Sequence, residues 1–136
     1  MAAVADAEEN FFCGGTLVAS EWVVTASHCM FQDQALTEPQ VPSGLTIVFG
    51  DHDSTSTTES IIPRIVVKVA KIITHPAFDT ATFDNDIALI KLSTAVDLNT
   101  YTPACLANSG DDFTDKQAWV YGNIAEMRLW VCHKFF

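Results

Sequence analysis

The chain has 136 residues, a length that fits one domain or a piece of one. Apolar residues make up 49% and charged residues 18%, a mix that excludes intrinsic disorder, and no apolar stretch approaches the ~20 residues of a membrane span. Seventeen acidic against seven basic residues give a net charge of −10, which repels phosphate backbones and anionic lipid, so nucleic acid and membranes are excluded as partners.

In chain order, residues 1–9 are rich in Ala and Glu and favour a helix by propensity, yet they run into Phe11-Phe12, which favours strand. The two readings stay open at that point. The same segment has no cationic start and its apolar residues are interrupted by acids, so it is not a signal peptide. From Phe11 onward the signals are β. Phe11 to Ala19 and Trp22 to Thr25 are short apolar runs, with Gly14-Gly15 where a bulge or a close backbone approach is expected. Residues 32–44, with Pro39, Pro42 and Gly44, read as a loop. Leu45 to Phe49 is a strand ended by Gly50, and Asp51 to Ser60 a polar loop.

Ile65 to Ile73 is the longest β-branched run, expected to bend at Lys68 and Lys71 and closed by Pro76. Ile87 to Leu92 and Ala118 to Tyr121 are the last strands. Short strands with turn signals between them predict an all-β sandwich or barrel. The four cysteines allow two disulfides in three connectivities and include no C-x-x-C pair, which argues against a zinc ribbon or a thioredoxin-like motif. They suit an oxidising compartment.

Two segments carry chemistry. One is Cys13-Gly14-Gly15-Thr16-Leu17 leading to Thr25-Ala26-Ser27-His28-Cys29, and the other is Asp84-Asn85-Asp86-Ile87-Ala88-Leu89-Ile90-Lys91-Leu92. In this order they resemble the N-terminal half of a trypsin/chymotrypsin-type serine endopeptidase. Gly50-Asp51-His52-Asp53, His75-Pro76 with Phe78-Asp79, Thr102-Pro103-Ala104-Cys105-Leu106 and Trp119-Val120-Tyr121-Gly122 add weaker support. The resemblance covers residues 1–122 and leaves 123–136 as an off-family tail.

The resemblance implies an all-β fold, the first antiparallel barrel of a trypsin-like protease plus the start of a second. It implies peptide-bond hydrolysis by acyl transfer, in a secreted parent protein that acts on protein or peptide substrates and meets protease inhibitors. In the family's division of labour, His28 is the general base and Asp86 the carboxylate that fixes its tautomer. Imidazole suits the role because it takes and returns a proton near neutral pH. Cys13 and Cys29 form the disulfide that staples the His28 loop. Asp84 is read as a solvated turn residue, and His52 and His75 as loop residues without a catalytic part. No cofactor is expected. Asp51 and Glu59 are the weak candidates for a calcium loop of the kind some relatives carry, but the intervening residues offer only hydroxyls and backbone.

Departures from the family pattern decide the functional expectation. None of the eight serines lies in a Gly-x-Ser-Gly context, so the nucleophile, the oxyanion-hole amides and the specificity pocket are missing from this sequence. No Ile-Val-Gly-Gly-type terminus is present, and Met1 reads as an internal residue of a first strand. The tail is expected to derive from an intron, a frameshift or an alternative exon. Cys105, which in relatives pairs with an upstream cysteine, is left unpaired or bonds Cys132. The chain alone is therefore expected to be inactive, to expose His28 and Asp86 to solvent, and to self-associate through uncovered apolar surface. The rival readings are a non-catalytic protease homologue acting as an interaction module, and a metal-binding β domain using Cys and His, for which Cys132-His133 lacks a second ligand pair.

Overall fold

In the computed structural model, residues 2–33, 35–50 and 62–114 are described. The unit Met1–Leu106 contains the strands β1 (Ala2–Asp6), β2 (Phe11–Ala19), β3 (Trp22–Thr25), β4 (Leu45–Phe49), β5 (Ile65–Thr74) and β6 (Ala88–Leu92). The second unit begins at Ala107, and its described part includes a turn closed by the Asp111 amide on the Asn108 carbonyl at 3.1 Å.

The six strands close into an antiparallel barrel in the order β1-β2-β3-β6-β5-β4. Three strands fall where the apolar runs place them, β2, β3 and β4, and the all-β expectation holds. The open question at residues 1–9 is settled as strand. Ala2, Val4 and Ala5 are buried because β1 is hydrogen-bonded on both sides, to β2 and to β4, and ladder bonds outweigh the helical preference of alanine. The core gathers the inward residues of all six strands, among them Val4, Leu17, Val23, Ile47, Phe49, Val69, Ile90 and Leu92.

Barrel closure needs local bends, and bulges supply them. Val4 pairs with Cys13 and Ala5 with Phe11, so Phe12 is an extra residue on β2. The expected bend in β5 is likewise a bulge, with the register shifting between Val69 and Lys71. Ala70 and Lys71 then both face solvent, and Ile72 returns to the core side. Gly15 is the close approach anticipated for the glycine pair: a Cβ there would lie 2.7 Å from Val23 Cγ1 on the neighbouring strand. On the outside of the barrel Ile73 and Leu89 face each other across β5 and β6, both exposed.

The loops are held by carboxylates. The Asn10 side chain donates to Asp6, the Glu38 amide to Asp33 and the Thr100 hydroxyl to Asp97, and these bonds hold all three carboxyls below the usual aspartate range. A depressed folded-state pKa contributes stability above the unfolded value and loses it as pH falls through the folded one. The urea midpoint is therefore expected to hold from neutral pH down to about pH 5 and to fall progressively below about pH 4, where the unfolded chain's aspartates take up protons before the folded ones do. A midpoint unchanged down to pH 3, by about one unit below the free aspartate value, would contradict the assignment.

Candidate functional site

His28 stands at the start of a short 3₁₀ turn, His28–Met30, that follows β3. The turn is closed by the Met30 amide on the Ser27 carbonyl at 2.9 Å. Cys29 and Met30 are buried, which pins the turn to the core and directs His28 outward. The predicted Cys13–Cys29 disulfide is formed, spanning 16 residues and a Cα separation of 6.2 Å, and ties the turn to β2.

Asp86 sits just before β6, at the end of a loop rich in tight turns. The Asp79 carboxylate accepts from the Ala81 and Thr82 amides, and the Asn85 side chain donates to the Ala77 carbonyl at 2.9 Å. The Ile87 amide reaches back to the Asn85 carbonyl at 2.8 Å, so Asp86 is the apex of a three-residue turn. Phe83 and Asn85 both hold positive φ, 60° and 57°. Asparagine tolerates that conformation, whereas phenylalanine is strained in it.

The two segments meet. Asp86 Oδ1 accepts the His28 backbone N–H at 2.8 Å, and Asp86 Oδ2 lies 2.7 Å from His28 Nδ1. An ionised carboxylate only accepts, so the second contact places the ring proton on Nδ1 and leaves the Nε2 lone pair free to take another. Fifty-eight residues of sequence separation are closed by this pair. The Phe83 ring meets the imidazole edge-on with centroids 5.9 Å apart.

The expectation that both side chains face solvent needs correction. The His28 side chain is 45% exposed, but that of Asp86 is only 13% exposed, because both its oxygens are turned onto His28. Asp84 is an exposed turn residue whose carbonyl accepts the Asp79 amide, as its sequence context indicates. His75 is engaged locally, its Nδ1 accepting the Ala77 amide at 3.1 Å. Cys105 is a free, exposed thiol. Asp51, His52, Glu59, Cys132, His133 and the strand expected at 118–121 lie outside the described residues. Among the described residues, Cys13, His28 and Cys29 bring three metal-type donors together, but the two sulfurs are bonded to each other and offer no thiolate.

Two residues at the site were not singled out from the sequence. Phe83 carries no signal, since an aromatic residue is the opposite of what a left-handed position calls for. Ser27 lies inside the motif that marks His28, and nothing in the sequence singles out its hydroxyl as a structural partner.

The family model described as Trypsin matches residues 1–124. The chain is 38% identical over 112 residues to serine protease filzig of Drosophila melanogaster, covering 81% of this chain and 6% of that protein. It is 37% identical over 107 residues to a trypsin of Phaedon cochleariae, covering 78% of this chain and 37% of that protein. It is 35% identical over 103 residues to mannan-binding lectin serine protease 1 of Mus musculus, covering 70% of this chain and 14% of that protein. The chain thus spans well under half the length of each of these relatives.

Proposed function

Since the chain belongs to the trypsin family, we propose that it forms the histidine- and aspartate-bearing part of a serine endopeptidase domain, with His28 as general base and Asp86 as the group that orients it. The double hold of Asp86 on His28, through backbone N–H and Nδ1, is the observation that carries this reading. The fixed ring keeps Nε2 as its acceptor nitrogen, 3.5 Å from the disulfide-bonded Cys29 Sγ, which has no proton to give it, and a serine hydroxyl from the remainder of such a domain would meet that nitrogen.

In that arrangement Nε2 takes the hydroxyl proton as the oxygen attacks the peptide carbonyl, and later returns it to the leaving amine. The positive charge that the ring acquires lies beside the Asp86 carboxylate, which stabilises it. The substrates of the whole protein are peptides or proteins, and its partners include inhibitors that mimic them. The disulfide suits an oxidising compartment such as the secretory route. The sequence has no Gly-x-Ser-Gly serine, so the 136-residue chain alone does not hydrolyse peptides.

Selective ¹⁵N labelling of imidazole tests the base assignment, because the nitrogen shifts report which atom bears the proton. His28 is expected as the Nδ1–H tautomer near neutral pH, and a predominant Nε2–H form would overturn the reading. A fluorophosphonate probe tests the rest. It is expected to leave the chain unlabelled, and stoichiometric labelling would show that the nucleophile is present after all.

A further inference from the structure

We propose that Ser27 is a positioning residue for the His28–Asp86 pair, a role that rests on the reading of that pair given above. Thr25 and Ser27 are the two buried polar residues among the described residues, and Ser27 is wholly inaccessible at 0%. Its hydroxyl donates to the Ile87 carbonyl at 2.6 Å and receives the His75 amide N–H at 3.4 Å. Ser27 immediately precedes His28, and Ile87 immediately follows Asp86. One hydroxyl therefore joins the backbone beside the base to the backbone beside its orienting carboxylate.

A buried hydroxyl is retained only when its hydrogen bonds repay its desolvation, and this one has a donor and an acceptor in place. The fold does not need it for the neighbouring ladder, because the His75 amide also donates to the Ile87 carbonyl directly, at 3.0 Å. An alanine at this position would leave that bond intact and would remove only the link from the histidine turn to the aspartate turn.

The expected consequence concerns geometry at Nδ1. With the link gone, the two turns are joined only by the Thr25–Ala88 register of the β3–β6 ladder and by the Asp86 bonds to His28, and the His28 Nδ1 to Asp86 Oδ2 contact opens more often. The readout is the Nδ1 proton resonance of the full chain at low temperature, observed together with the imidazole ¹⁵N shifts. Ser27→Ala is expected to speed exchange of this proton with solvent about tenfold, the factor corresponding to one net hydrogen bond. Thr25→Val removes the other buried hydroxyl, which donates to the Gly14 carbonyl at 2.8 Å away from the pair. It is expected to lower the urea midpoint without changing that exchange.

Asp86→Asn separates the two ideas. If it abolishes the protected Nδ1 proton while Ser27→Ala leaves exchange unchanged, the positioning role is wrong and the pair stands. If neither variant alters the resonance, the pair itself is wrong. Equal acceleration in Ser27→Ala and Thr25→Val would reduce Ser27 to a general stability residue and overturn the proposal. Failure of Ser27→Ala to fold would overturn it too, because the hydroxyl would then be a requirement of the barrel.

Discussion

The double variant Cys13→Ser/Cys29→Ser is expected to lose about 3 kcal/mol of unfolding free energy, the chain-entropy value for closing a loop of this length. The crosslink spans 16 residues of sequence and joins the bulged strand β2 to the 3₁₀ turn that carries His28. In the unfolded chain it removes the conformations in which those two points are far apart. In the native barrel it holds a turn that has no side-chain cap of its own. Urea unfolding of the wild-type chain and the variant checks the value. A lower midpoint with an equal or slightly steeper slope is the expected pattern, since the unfolded chain without the crosslink is less compact. A loss below about 1 kcal/mol would mean that the native barrel already restricts these segments and that the crosslink adds little to it. The local consequence is separable from the global one. The His28 amide, bonded to Asp86 Oδ1, should exchange faster in the variant than amides of β4, which lies away from the crosslink.

Much of this architecture is legible in the sequence for a physical reason. Short runs of β-branched and aromatic residues, such as β3 and β4, announce themselves because such side chains favour the pleated, half-buried surface of a sheet. β1 does not, since Ala-rich, acid-flanked residues carry no alternation and only pairing with both β2 and β4 makes them a strand. The bend in β5 was legible from its two lysines, because a bulge is the way a strand can face charged residues outward at Lys68 and Lys71 while keeping Val69 and Ile72 inward.

The site divides in the same way. His28 and Asp86 stand out through the residues around them, but the carboxylate's second bond, to the histidine backbone, belongs to three-dimensional closure across the barrel. The low exposure of Asp86 follows from that closure, which is why the expectation of a solvent-facing carboxylate failed. Phe83 is illegible on principle. Its left-handed backbone is imposed by the turn that Asp79 nucleates, where the Phe83 amide donates to the Asp79 carbonyl at 2.8 Å. Local propensity opposes it there, and conflicts of that kind concentrate beside functional groups.

Gly50→Ala is expected to cost about 2–4 kcal/mol, combining a left-handed backbone with a collision that no side chain can relieve. Gly50 holds φ at +75°, and a Cβ there would lie 2.2 Å from the Pro63 carbonyl oxygen, 2.8 Å from its carbon and 3.0 Å from the Ile62 oxygen. All three obstacles are backbone atoms, so relief requires the chain itself to move. It has little freedom to do so. Phe49, directly before the glycine, pairs with Ile65 in the β4–β5 ladder, and Pro63 lies two residues ahead of that partner. The Pro63 carbonyl is also the acceptor for the Tyr101 hydroxyl at 2.7 Å, whose ring lies 5.6 Å from that of Phe49. Burial holds that phenol above its ordinary pKa, with the Asp97 charge a smaller cause, so it remains a donor across the neutral range. Moving Pro63 therefore disturbs a ladder, a hydrogen bond and an aromatic contact at once. Gly44→Ala is the matched control, since its nearest neighbour would be the flexible end of Val41 at 3.5 Å, and its cost is expected within about 0.5 kcal/mol of zero. Equal urea midpoints for the two variants would refute the collision argument. The strain falls on β4 and β5, whereas His28 follows β3 and Asp86 precedes β6. The folded fraction of Gly50→Ala should therefore keep the wild-type Nδ1 proton resonance, a loss of stability that leaves the geometry of the His28–Asp86 pair untouched.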